Sequence, residues 1–279
     1  MICPALAPTL RVDTATIGAL ATDCLKREVS TYPKPGLVSH VDNGAHNDMD
    51  VGLLDRSAET LEPFFAALAE AGAAGRDMDR LRAIGIEAEQ AMLEATAGIN
   101  THRGAIFGMG LLCAATGFRE TYGVSGSLGD IVAARWGEQI MAGPVTLHSH
   151  GAVAARRYGA GGARIEAAAG FPSLYGYGLP ALAAGRALIP KDEEAARVHV
   201  CMALIAHVGD TNLLHRGGPE GLAFAQAEAR RFLAAGSTGR PDWRDPAREI
   251  HDAFVARRLS PGGCADLLAM TLFVDRAEP

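Results

Sequence analysis

From Ile17 onward the apolar residues Ile17, Leu20, Ala21, Cys24, Leu25 and Val29 recur at intervals of three and four. That is the spacing of one helix face and not of a strand. The pattern predicts a helix that stops before Pro33, since the residue preceding a proline is driven out of the helical region. Leu81, Ile84, Ala88, Met92 and Ala95 repeat the spacing, with Asp77 placed to cap the start and Gly98 to end it. The run GAIFGMGLLCAATG at 104–117 is apolar nearly all round, which predicts a central helix wrapped by others. Helical patterns also cover 128–142, 192–208, 218–235, 243–258 and 262–275. In the last of these Ser260 is expected at the N-cap and Pro261 at the first helical position. Alternating β-branched runs are almost absent, and alanine, the residue with the lowest backbone cost of helix, dominates. The expected fold class is all-α: a compact multi-helix single domain over 1–279, with a central apolar helix, a polar rim of helix ends, and Gly- and Pro-rich loops between helices. No repeat at a fixed period is visible.

Outside the periodic helices the polar residues gather in six short stretches at expected helix ends: 33–50, NTHRGA at 100–105, HSHG at 148–151, GARIEAAAGFP at 162–172, GDTNLLHRGG at 209–218 and SPGGCAD at 260–266. Helix N-termini carry unpaired N–H groups and a partial positive charge. A rim of such ends suits phosphate.

Composition narrows the chemistry. The 279 residues are 48% hydrophobic and 21% charged, ample for a buried core, and the net charge is −6. Bulk electrostatics therefore give no nucleic-acid surface, and an anionic ligand must be met by local cations. Five scattered cysteines, odd in number and without a CxxC pair, speak against a disulfide framework and for a reducing compartment. The N-terminus has no basic segment leading into an apolar one, and no apolar run approaches the roughly 20 residues that span a bilayer. The expected location is cytoplasmic, with no membrane association.

Asp48 and Asp50 flank Met49, while Glu166, Asp210 and Asp266 sit in three other stretches. Mg²⁺ takes oxygen ligands, often one or two carboxylates beside substrate phosphates, so Asp48 and Asp50 are the candidate Mg²⁺ ligands. The competing reading of each aspartate is a helix cap. Zinc is disfavoured, because neither HExxH nor a cysteine pair occurs. The cations Lys34, His46, His102, Arg103, Arg164, His215 and Arg216 all fall inside the same stretches. Guanidinium groups chelate phosphate oxygens and a lysine adds a point charge. With Asn100, Asn212 and Ser260, the residues Lys34, His46, Arg103, Arg164 and Arg216 make the candidate substrate-binding set. Neither Walker A nor GxGxxG is present, and no GxSxG elbow supports a nucleophile.

Taken together and in this order, EVSTYPKPGLV…NGAHNDMD, GINTHRGAIFGMGLLCAA, SHG, GARIEAAAGFP, GDTNLLHRGG and LSPGGCADLLAMTLF resemble the triphosphoribosyl-dephospho-CoA synthase family, which serves citrate lyase and malonate decarboxylase. The resemblance runs from about Ala19 to Val274. It implies an all-helical transferase that joins ATP to 3′-dephospho-CoA and releases adenine, forming 2′-(5″-triphosphoribosyl)-3′-dephospho-CoA, the precursor of the prosthetic group of an acyl carrier subunit. A transient link to the holo-transferase of that carrier and a homo-oligomer are compatible with it. LVSH at 37–40 departs from the LVDR of citrate-branch members and GDT at 209–211 from the DDT of malonate-branch members, while NTHRG leans to the malonate branch. The length suggests no fused second enzyme.

Such a reaction passes through an oxocarbenium-like transition state. A carboxylate is expected to stabilise it or accept the hydroxyl proton while an acid assists adenine. Residue chemistry makes Glu166 or Asp210 the candidate carboxylate and His102 or His215 the candidate acid. Two competing readings use the same residues: a Mg²⁺-dependent hydrolase of nucleotide N-glycosidic or phosphate bonds, and a non-enzymatic nucleotide-binding module.

Overall fold

In a computed structural model of the chain, the described residues are 13–144, 154, 157–159 and 161–278. They form α1 (Thr14–Val29), α2 (Val51–Ala73), α3 (Met78–Ala95), α4 (Arg103–Tyr122), α5 (Leu128–Ala142), α6 (Gly162–Ala168), α7 (Leu179–Leu188), α8 (Glu193–His207), α9 (Thr211–Ala234), α10 (Arg244–Ala256) and α11 (Gly262–Ala277). A one-turn π segment, Leu174–Gly178, leads into α7, and a 3₁₀ turn, Ser237–Gly239, follows α9. No strand occurs among the described residues, so the fold is all-α. The HSHG stretch and Cys3 lie outside the described residues.

Aspartates start many of these helices. Asp13, Asp50, Asp77, Asp192 and Asp210 each accept a backbone N–H of the following turn, and Ser127 with Asp130 makes a reciprocal capping box on α5. The buried faces then meet. α4 packs against α1, α2, α3, α5, α6 and α11, and buries residues on all sides from Ala105 to Thr121. The tightest crossing is with α2. A Cβ on Gly72 would lie 1.9 Å from the Ala114 carbonyl oxygen, and one on Gly117 would lie 2.0 Å from that of Ala69. The two backbones therefore touch through reciprocal glycines. α8 fills the other half of the core, between α7, α9 and α11. Apolar residues from every helix join one contiguous cluster, with a small satellite of Val29, Val38 and Leu54 under the Lys34 loop. Cys24, Cys113, Cys201 and Cys264 are buried free thiols.

Three expectations change. The 162–168 and 211–217 stretches are helical and not loops. Asp210 caps a short helical stretch ahead of Gly218 (φ 63°), whose non-helical backbone breaks α9 into two segments, so the helix expected over 218–235 begins where its sequence indicates and 211–217 precedes it. At α11, Pro261 occupies the N-cap position and Ser260 makes no cap bond to that helix. α2, α6 and α7 are not singled out by the apolar spacing, and α2 runs through an internal Pro63.

The glycine crossing yields a stability prediction. Gly72→Ala forces apart two packed backbones, and overpacking of this kind costs about 1–3 kcal/mol. Urea denaturation should show a loss in that range or beyond. A variant as stable as wild type would mean that the α2–α4 contact relaxes freely.

Candidate active site

The first turns of α4, α9 and α11 meet beside the Lys34 loop, with Ser57 reaching in from the second turn of α2. Asp210 is the joint. Its Oδ1 accepts Asn212 N–H (2.7 Å) and Leu213 N–H (3.1 Å) at the start of α9, while Oδ2 accepts Cys264 N–H (2.9 Å) in the first turn of α11. One carboxylate that is 2% exposed thus caps two helices. Burial raises the Asp210 carboxyl from its ordinary value, and these N–H donors oppose the rise. The opening of α11 is in turn pressed onto α4. A Cβ on Gly104 would fall 1.9 Å from Asp266 Oδ2, so the α4 turn must be glycine where the Asp266 carboxylate passes. Asp266 keeps some residue surface open, but its carboxyl is enclosed; burial and the nearby Glu28 and Asp210 carboxylates push it well above the usual range.

Lys34 lies at the floor of this arrangement, 1% exposed. Its Nζ donates to the Glu28 carbonyl (2.6 Å) and to Glu28 Oε1 (2.5 Å), which spends two of its three donors. Lys34, expected as a point charge in the substrate-binding set, is a buried ammonium held by a buried carboxylate. Burial raises the Glu28 carboxyl and Lys34 pulls it back. The turn itself is clamped. His251 Nδ1 donates to Lys34 O (2.7 Å), its Nε2 lies 3.1 Å from Asp42 Oδ1, and Gly36 (φ 67°) sits so close to Leu259 O that a side chain there would collide.

His102 opens α4. Its Nδ1 lies 2.7 Å from Ser57 Oγ on α2, which also contacts Thr101 Oγ1 at 2.6 Å. Burial, with the Lys34 charge beside it, lowers the imidazole to about 4. His102 is therefore neutral at pH 7 in this state, which removes the cationic form expected of a general acid. At the mouth, His46 Nε2 lies 2.8 Å from Ser260 Oγ, and Arg216 Nη2 lies 3.3 Å from His46 Nδ1. Arg216 Nη1 donates to Ala45 O and Arg258 O, both at 3.2 Å. Ser260 is thus recruited by His46, which explains why it does not cap α11. Asn212 stands with its Nδ2 over Gly262, and Arg103 pairs with Glu89 while its buried Nε has no partner. Asn100 Oδ1 accepts Arg103 N–H (3.2 Å) and so starts α4. His215 lies exposed on α9.

Arg164 and Glu166 are placed differently. Arg164 Nη2 donates to the carbonyls of Ile140, Met141 and Gly143 at the C-terminus of α5. Glu166 accepts Ser173 N–H (2.6 Å) and the Ser173 hydroxyl (3.0 Å) ahead of the π turn. These contacts hold α6 to its neighbours and do not join the Lys34 cluster. Asp50 Oδ1 accepts Leu53 N–H (2.8 Å) as the cap of α2, and exposed Asp48 lies 3.5 Å from His46. Among the described residues no group of three metal-ligating side chains forms. Glu28 and His251 carried no expectation from sequence. Their signal is a titratable residue on an otherwise buried helix face, Glu28 four residues after Cys24 and His251 beside Ile250.

With this geometry in hand, comparison with known proteins is decisive. Residues 14–279 match the family described as ATP:dephospho-CoA triphosphoribosyl transferase. The chain belongs to that family. It is 43% identical over 265 residues to a probable 2-(5″-triphosphoribosyl)-3′-dephosphocoenzyme-A synthase of Stutzerimonas stutzeri, covering 93% of this chain and 91% of the relative. The synthase of that name from Pectobacterium atrosepticum is 41% identical over 266 residues, covering 88% and 84%. A probable synthase of Pseudomonas paraeruginosa is 42% identical over 280 residues, covering 97% and 94%. No solved structure matches the chain. As a member of this transferase family the protein is an enzyme, and no described helix is long and apolar enough to cross a membrane.

A pH prediction follows from His102. Its folded value of about 4 lies below the ordinary 6.5, so between those pH values the unfolded chain binds the extra proton. The group's contribution is then complete above pH 6.5 and is lost as pH falls toward 4, by up to about 3 kcal/mol. Denaturation of wild type and His102→Gln at pH 7 and pH 5 should show a smaller acid loss in the variant. Equal losses would show that His102 is protonated in the fold.

Proposed function

We propose that the protein transfers the triphosphoribosyl group of ATP to the 2′-hydroxyl of 3′-dephospho-CoA, releasing adenine. The observation that carries this reading is the meeting of three helix first turns over one buried charge cluster, in a chain that matches the transferase family along nearly all its described length. The partial positive charge of those helix ends, Arg216 at the mouth, Arg103 at the start of α4 and the Lys34 charge at the floor are suited to a triphosphate. They account for polyanionic substrates on a protein of net charge −6.

In the reaction the hydroxyl oxygen forms a bond to ribose C1 as the C1–N bond to adenine breaks; the hydroxyl proton leaves to a base and adenine takes up a proton. Asp210, held by three backbone N–H groups, supplies the carboxylate facing the cationic ribose. Asp266 is the better acid for adenine than His102, because burial, and after it the neighbouring carboxylates, favour its protonated form. His215 and Glu166 remain members of the proposed set only through the segments that carry them. His46, Asn212 and Ser260 line the mouth. Asp48 and Asp50 fit a magnesium ion that arrives with the phosphates: Asp50 keeps Oδ2 uncommitted, and two carboxylates are enough when phosphate oxygens complete the shell. Bound there, it would neutralise phosphate charge. The product would feed the prosthetic group of an acyl carrier subunit, in the malonate decarboxylase setting by preference over citrate lyase, in the cytoplasm.

Adenine release measured with ATP and Mg²⁺ should require dephospho-CoA, and Asp266→Asn should slow it by about 100-fold or more while the variant stays folded. Release at the same rate without dephospho-CoA would identify a hydrolase, and a wild-type rate in Asp266→Asn would remove that acid. Asp50→Asn preserves the helix cap, so its stability should not change, whereas the Mg²⁺ concentration for half-maximal activity should rise several-fold. An unchanged Mg²⁺ dependence would move the metal elsewhere.

A further inference from the structure

A second concentration of positive charge lies toward the other end of α11. Arg27 of α1, Arg186 of α7, Arg197 of α8 and Arg276 of α11 surround a hollow of about 250 Å³, together with Leu272, Glu193 and Asp275. The hollow is well above the ~30 Å³ share of one liquid water. Its lining therefore carries four guanidinium groups against two carboxylates, on a protein whose overall charge is −6.

Three of those arginines are committed. Arg186 is gripped by Glu193 and Asp275, while Arg27 and Arg276 share the Asp23 carboxylate. Arg197 differs. It is 9% exposed, and its Nε donates to Thr31 Oγ1 at 2.7 Å, while the Thr31 hydroxyl donates to Arg27 O at 2.7 Å. That relay fixes the plane of the guanidinium. Its Nη1 and Nη2 have no hydrogen-bond or ion-pair partner among the described residues, and they are not sealed from the hollow they line. A largely buried guanidinium with no protein acceptor at its fork is favoured by an anionic acceptor in the hollow it lines. Its outward fork is the shape that takes two oxygens of one phosphoryl group.

We propose that this hollow is a binding site for a phosphoryl oxyanion, with Arg197 as its bidentate anchor and Arg27 and Arg276 as flanking charges. The site is separate from the one described above, because Lys34 and Arg216 do not line it. The two share the Thr31–Lys34 turn, Thr31 orienting Arg197 on one side and Lys34 meeting Glu28 on the other.

The test titrates the full-length ¹⁵N-labelled protein with inorganic phosphate and follows the Arg197 Nε–H resonance, assigned with Arg197→Lys. The expected result is a saturable shift whose midpoint rises about fivefold or more in Arg27→Glu, an exposed reversal that leaves the buried anchor in place. Arg216→Gln, at the other site, should leave the midpoint unchanged. Repeating the titration with ATP separates free phosphate from a nucleotide's phosphates by which of the two has the lower midpoint. An Arg197 resonance that does not move with either anion, or one that moves with the same midpoint in Arg27→Glu, would overturn the proposal.

Discussion

The carboxylate of Asp210 is the contact on which the candidate site depends. A buried charge must be met by donors or it destabilises the fold by several kcal/mol. Asp210 meets that demand by collecting N–H groups from two different helices. Satisfying it fixes the start of α9 relative to the start of α11. Asp266, one turn further on, is then delivered against Gly104 and so onto α4, whose His102 reaches Ser57 of α2. Three helix starts and the second turn of α2 are brought together by polar groups that would be costly apart. Ordinary apolar packing elsewhere, including the α2–α4 glycine crossing, holds the scaffold stiff enough for them to stay so.

Electrostatics here is local and not global. The chain is acidic, yet in the enclosed group of Lys34, His102, Asp210, Glu28 and Asp266 burial dominates, Lys34 adds to the lowering of His102 and opposes the rise of Glu28, and Glu28 and Asp210 add to the rise of Asp266. Burial raises both Asp210 and Asp266, but N–H donors oppose the rise at Asp210 while the Glu28 and Asp210 carboxylates add to it at Asp266. His102 is held neutral beside an ammonium group. Separation of proton affinities among close groups is what acid and base chemistry at neutral pH requires. The arginines around Arg197 obey the same logic in reverse, with three satisfied by carboxylates and one left facing open space.

Helix positions were largely legible along the chain because burial imposes the three-and-four spacing directly. The 128–142 helix matches its expected bounds, and Asp77 caps α3 as its sequence position indicates. Where a helix start is set by a distant residue, the local rules give the wrong cap. Ser260 has the right type and place for an N-cap, but His46 takes its hydroxyl and Asp210 serves α11 from another helix. α2 was obscured by Pro63, a residue that ordinarily marks an end, while the break at Gly218–Pro219 falls where the 218–235 pattern begins.

The polar segments that carry site chemistry were visible as sequence, and so was their common suitability for phosphate and their family resemblance. Residue type, helix ends and local charge are properties of short segments, which is why the chain alone determined them. What only the tertiary structure decided is the employment of each side chain. Arg164 and Glu166 lie in as promising a stretch as any, yet they hold α5 and the π turn. Glu28, on an apolar helix face, proves to be the counter-ion of Lys34. Desolvation and ion pairing depend on which segments share a volume, and that is settled by packing of residues far apart in the chain.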